Sequence, residues 1–237
     1  MNTMRAMNTM TVWWQALLAG VALATGAVQA QDAGLGPYEL VDKVAKNILQ
    51  ELDANRAAYR KDPKKIRELV DRNMLPYFDT DYAAQLVLAK YWRTASEEQR
   101  KRFIVAFYRS MLQNYGEALL DFTPDRMKIL PFQGKPGEAT ATVKSEVRRD
   151  NGTRVPVNYT LRKTADGQWK AYDVTIEGIS YVKSFKTDFG SEIQQKGLDA
   201  LIQRLESQAE NGVVIKPSAV KSQVQGQTTE PADAKAS

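Results

Sequence analysis

The spacing of apolar residues changes from about four to two near Arg126 and returns to about four after Gly178, so the chain must place a sheet between two sets of helices. Before the change, Leu40, Val41, Val44, Ile48 and Leu52 form one stripe behind Pro37, a residue suited to a first helical turn. Asp62-Pro63 supplies an N-cap and a first-turn proline for a second helix carrying Ile66, Leu69, Val70 and Met74, which ends near Pro76. An aromatic helical region follows through Tyr82, Leu86, Leu88, Tyr91 and Trp92 and breaks at Arg93-Thr94. Thr94 with Glu97, or Ser96 with Gln99, can then form a capping box for a helix bearing Phe103, Ile104, Phe107, Met111 and Tyr115.

Within the period-two region, Met127 to Pro131 reads as a short first strand. Ala139, Ala141, Val143, Ser145 and Val147 alternate with Thr140, Thr142, Lys144 and Glu146, which describes a strand with one dry and one wet face. Asp150-Asn151-Gly152 marks a turn, Val155, Val157, Tyr159 and Leu161 repeat the alternation, and Asp166-Gly167 marks a second turn before Trp169 to Ile176. Trp169 and Tyr172 fall on opposite faces of that last strand; Tyr172, Val174 and Ile176 are read inward and Trp169 is left for an edge or a second contact. Gly178 to Ser180 returns the chain to helix, with Val182, Phe185 and Phe189 on one face and Leu198, Leu201, Ile202 and Leu205 after a break at Gly197. Helices, then an antiparallel meander of about four strands, then helices make the α+β class.

At the N-terminus, one charge at Arg5 precedes an apolar stretch from Val12 to Ala24 and small residues at Val28-Gln29-Ala30, the layout of a secretory signal peptide cleaved near Ala30. The expected organisation is a signal peptide at 1–30, one domain at 31–210 and a disordered tail at 211–237. That tail is rich in Gln, Ser, Thr, Ala and Pro, too polar to bury the surface that ordering requires.

The chain contains neither histidine nor cysteine. Without histidine it lacks the commonest general base, the usual activator of a serine nucleophile and the commonest metal ligand. Ser180, which follows Glu177-Gly178-Ile179, therefore reads as a helix cap. No catalytic residue, metal ligand or cofactor is expected, and an exported chain without cysteine is held together by its core and hydrogen bonds alone.

Several separated blocks resemble a known family, the MlaC or toluene-tolerance auxiliary proteins, periplasmic phospholipid carriers of the Mla lipid-asymmetry pathway. They are Leu86 with Tyr91-Trp92-Arg93, Glu98-Gln99-Arg100 with Phe103, Phe107, Leu112 and Tyr115, and Val157-Asn158-Tyr159 with Leu161. Trp169 through Val174, Ile176-Glu177-Gly178-Ile179-Ser180, Phe189 with Ile193, and Gly197-Leu198-Asp199 with Leu201-Ile202 continue the match in order. The resemblance implies a curved antiparallel sheet packed on several helices around an apolar cavity that holds a diacyl phospholipid. It also implies a periplasmic monomer that shuttles lipid between an outer-membrane lipoprotein complex and an inner-membrane transporter complex with a periplasmic ring, without catalysis and without nucleic acid.

Faces able to point inward nominate Tyr82, Leu86, Phe103, Phe107, Met111, Val143, Val157, Tyr159, Tyr172, Val174, Ile176, Phe185 and Leu201 as lipid-binding residues. Their spacing is equally that of a plain core. Arg93 and Arg100 are candidates for headgroup or partner contact, although a basic helix face is commonly just solvated. Two other readings compete with the carrier: a periplasmic chaperone or adaptor for apolar polypeptide, and an enzyme on a cone-shaped α+β scaffold with Asp173 or Glu177 as buried base.

Overall fold

The computed structural model describes residues 34–115, 119–120, 123–135, 137–149 and 151–211. The export signal read at 1–30, the tail beyond residue 211 and Asp150 of the first turn lie outside the described residues. Helix α1 (Pro37–Lys61) begins at its proline and α2 (Pro63–Asn73) at the Asp62 side chain, which accepts a hydrogen bond from the Lys64 N–H at 3.0 Å. A 3-10 turn (Leu75–Tyr77) leads to α3 (Thr80–Leu88), α4 (Lys90–Thr94) and α5 (Glu97–Tyr115). The aromatic region is thus two helices, broken at Ala89 and not first at Arg93-Thr94; Ala89 adopts φ 49° and ψ −114°, where a helix cannot continue. Of the two possible capping boxes, Ser96 with Gln99 forms, each side chain accepting the other's backbone N–H at 3.1 and 2.9 Å.

Five antiparallel strands follow in chain order: β1 (Met127–Ile129), β2 (Thr140–Arg148), β3 (Arg154–Lys163), β4 (Trp169–Ile176) and β5 (Ile179–Ser180). The sheet is curved and does not close. The fifth strand arises because Glu177 (φ 51°) and Gly178 (φ 84°) both take left-handed backbone, making a two-residue hairpin whose twist suits the strands. Helix α6 (Tyr181–Lys196) starts at once, capped by the Ser180 hydroxyl, which accepts from the Lys183 N–H at 3.1 Å. Gly197 (φ 85°) separates it from α7 (Leu198–Asn211). No helix among the described residues is long and apolar enough to cross a membrane.

Packing divides into three groups. The largest joins α3, α5, α6 and α7 through Leu88, Phe103, Phe107, Phe185, Phe189, Leu201, Ile202 and Leu205. A second holds the α1–α2 hairpin through Ile48, Leu52, Ile66 and Leu69. In the third, Leu40 and Val41 at the start of α1 press on Val143 and Leu161 of the sheet.

Candidate functional site

The register fixes which side chains share the sheet face that α1 packs on. Val143, Tyr159 and Val174 stand side by side across β2, β3 and β4; Ser145, Val157 and Ile176 form the next row, and Ala141, Leu161 and Ala171 the row on the other side. Antiparallel partners lie on the same face, so these residues make one continuous, largely apolar surface.

This arrangement depends on one irregularity. Thr160 pairs with Asp173 but Leu161 pairs with Ala171, so Tyr172 is an extra residue on β4. The bulge shifts the alternation by one, which places Trp169 and Ala171 on the same face as Val174 and Ile176. The simple alternation puts Trp169 on the face opposite Val174 and Ile176, at an edge or a second contact; the bulge corrects its face, and it packs against the group containing Val143 and Leu161. Tyr172 packs instead against the helical group, edge-on to Tyr82 at 5.1 Å between ring centroids.

The sequence-derived lining residues consequently fall into two sets. Phe103, Phe107, Phe185 and Leu201 are buried within the helical group, where Phe107 stacks on Phe103 at 5.5 Å and meets Phe185 and Phe189 edge-on at 5.2 and 5.8 Å. Leu86, Met111, Tyr172 and Ile176 lie half-buried against that group, and Tyr82 is half-buried beside Tyr172. On the sheet, Val143 is sealed beneath α1 with Tyr159 against it, while Val157 and Val174 share the face without joining any of the three packed groups of described residues.

Polar side chains are few on this face. Ser145 is buried and donates its hydroxyl to the Val157 carbonyl at 2.7 Å. Burial pushes the Tyr159 phenol up, and a hydrogen bond with Ser145 pulls it only partly back, so Tyr159 is a neutral hydroxyl in apolar surroundings. Ser110 on α5 is 1% exposed and its hydroxyl has no hydrogen-bond partner among the described residues.

Sequence reasoning missed a recess of about 430 Å³ at one end of the sheet, bordered by Pro37, Phe132, Lys135, Ala141, Lys163 and Trp169 among others. None of the nominated lining residues borders it. Phe132 lies in an irregular segment with no periodicity to mark it, and the bulge interrupts the alternation that would mark the facing of Trp169.

The charged candidates have specific neighbours. Arg100 donates to the Trp92 carbonyl at 2.9 Å and to the Arg93 carbonyl at 3.4 Å, and lies 5.2 Å from the Trp92 ring. It satisfies the C-terminal carbonyls of α4, while Arg93 is exposed. Asp173, the base of the enzyme reading, accepts from the Ser180 hydroxyl at 2.5 Å and the Val182 N–H at 3.0 Å, which makes it part of the α6 cap. Glu177 pairs with Arg149 at 3.3 Å.

The family model described as MlaC protein matches residues 42–207, a span that runs from within α1 to within α7 and includes every element between them. The chain belongs to the MlaC family. Among curated MlaC relatives, it is 33% identical over 184 residues to "Toluene tolerance protein ttg2D" of Pseudomonas putida, covering 77% of this chain and 82% of that protein. It is 25% identical over 203 residues to "Intermembrane phospholipid transport system binding protein MlaC" of Haemophilus influenzae, covering 85% and 95%. A solved phospholipid-binding protein from Ralstonia solanacearum, in complex with a phospholipid, shares the fold at a TM-score of 0.67 and 24% identity, over 73% of this chain and 96% of that one.

Proposed function

We propose that this protein is a periplasmic phospholipid carrier that holds diacyl lipid against the apolar face of its sheet. The observation that carries the reading is membership of the MlaC family, seconded by the fold shared with a protein solved around a phospholipid. The continuous face built from Val157, Tyr159, Val174 and Ile176 supports it, because acyl tails need extended apolar contact and little polarity. Leu86 and Met111, which lie with Ile176 against the helical group, would meet the tails from the helical side, with Phe103, Phe107, Phe185 and Leu201 as the packed wall behind them and Val143 beneath α1; Tyr82 and Tyr172 stand on the other side of the sheet and are not assigned to the tails. Arg93 is the exposed cation proposed for headgroup or partner contact.

Energetics explain why such a carrier works by docking. Two acyl chains carry about 30 methylenes, and exposing them to water would cost on the order of 20 kcal/mol at about 0.8 kcal/mol each. Release into water is negligible at that cost, so lipid must pass directly to another apolar path. The proposed partners are an outer-membrane lipoprotein complex and an inner-membrane transporter complex with a periplasmic ring, between which shuttling maintains outer-membrane lipid asymmetry. The chain would reach the periplasm after cleavage near Ala30, with 31–210 as the carrier domain.

Native mass spectrometry of protein purified from the periplasm, followed by organic extraction, tests the reading. Near-equimolar diacyl phospholipid is expected. A lipid-free protein that instead keeps unfolded clients from aggregating would replace the carrier with a chaperone.

A further inference from the structure

The tip of the α1–α2 hairpin carries an unusual charge arrangement. The two helices pack side by side, tied by Glu51 of α1, which accepts from Arg72 of α2 at 2.6 Å and from Asn73 at 3.1 Å; their connection at Asp62 is the tip of this hairpin, and the cations around it are exposed. Between residues 60 and 68 stand Arg60, Lys61, Lys64, Lys65 and Arg67 against Asp62 and Glu68, five cations to two carboxylates and hence an excess of three. Arg60, Lys61, Lys64 and Lys65 are exposed, and none of the five cations forms an ion pair with a described residue. Elsewhere in the hairpin, Lys46, Arg56 and Arg72 all have carboxylate partners.

Folding accounts for only part of this. Arg60 and Lys61 occupy the last turn of α1, where cations favour the negative end of the helix dipole. Lys64 and Lys65 occupy the first turn of α2, where the same dipole disfavours them, and that turn has no acidic residue. Placing them beside Arg60 and Lys61 adds like-charge repulsion. The helix dipole therefore does not account for this placement.

We infer that this corner is a docking point for an anionic bilayer surface, held there by lipid headgroup charge. A planar, diffuse negative field suits flexible lysines exposed at the hairpin tip. A protein partner is disfavoured because interfaces are anchored by aromatic and other apolar side chains and are depleted in lysine, whereas every exposed residue of this corner is charged. Each Lys or Arg close to such a surface strengthens adhesion, and the effect fades within a Debye length. The inference concerns adhesion to a membrane and does not require lipid inside the fold.

Co-sedimentation tests it, using the chain from Gln31 onward, which contains every described element, with phosphatidylcholine vesicles made with and without phosphatidylglycerol. Adhesion only to the anionic vesicles, abolished by high salt, is expected. Changing Lys61, Lys64 and Lys65 together to Gln should weaken it by at least about tenfold, on the scale of three lost surface charges. Changing Lys128, Lys144 and Lys186 to Gln, which removes equal charge elsewhere, should alter it less than about twofold. Circular dichroism confirms that both variants fold, and single Lys64→Gln and Lys65→Gln variants replace the triple variant should it unfold. Equal adhesion to both vesicle types, no adhesion, indifference to salt, or equal losses in the two triple variants would each overturn the inference.

Discussion

The ring of Tyr82 on α3 meets that of Tyr172 on β4 edge to face, with centroids 5.1 Å apart and planes at 88°. Arg162 of β3 lies 4.1 Å from the same Tyr82 ring and pairs with Asp79, the N-cap of α3, at 2.6 Å. One side chain at the bulge thus joins the sheet to the helical layer. A double-mutant cycle of Tyr82→Ala and Tyr172→Ala should give a coupling of about 0.5–1.5 kcal/mol by chemical denaturation. Strict additivity would mean that the ring contact contributes nothing.

Ala89 holds a backbone conformation that suits glycine, at a cost of about 1–3 kcal/mol. Ala89→Gly should therefore raise stability by about 1 kcal/mol, and Ala89→Val should lower it. Urea midpoints read both.

Ser110 is buried in a helix and its hydroxyl has no hydrogen-bond partner among the described residues, a situation that costs about 1–3 kcal/mol in desolvation. Ser110→Ala should stabilise the lipid-free protein by about 1 kcal/mol or more, aided by alanine's higher helix propensity. A loss of stability in that form would show that the hydroxyl has a partner.

Burial pushes the Glu51 carboxyl up, but hydrogen bonds from Tyr59, Arg72 and Asn73 outweigh it and hold the group below its ordinary value of 4.5. A lowered folded value means that the ionised form favours the folded state. The contribution is complete above the unfolded value and is lost as pH falls through the folded one. Thermal melts should therefore show an acid-side decline below about pH 4.5 that is shallower in Glu51→Gln.

Val174→Glu and Phe107→Glu should separate lipid binding from packing. Val174 lies outside the three packed groups, so its variant should fold and lose extractable lipid; Phe107 is enclosed by Phe103, Phe185 and Phe189, so its variant should fail to fold, having buried an unpaired charge. Full lipid occupancy in a folded Val174→Glu variant would place the tails elsewhere.

Local chemistry alone determined the α+β order, the start of α2 at Asp62-Pro63, the Ser96–Gln99 capping box and the alternation along β2 and β3. Each of these follows from contacts within a few residues. The facing of Trp169, the place of Tyr172 and the commitment of Asp173 to α6 were decided only in three dimensions. One extra residue in β4 leaves no mark on composition, and its position is set by what packs on each side: α1 and the sheet around Trp169, and the α3 and α6 helices around Tyr172. The recess beside Phe132 belongs to the same category, because a concave space is a relation among residues distant in the chain and no single segment encodes it.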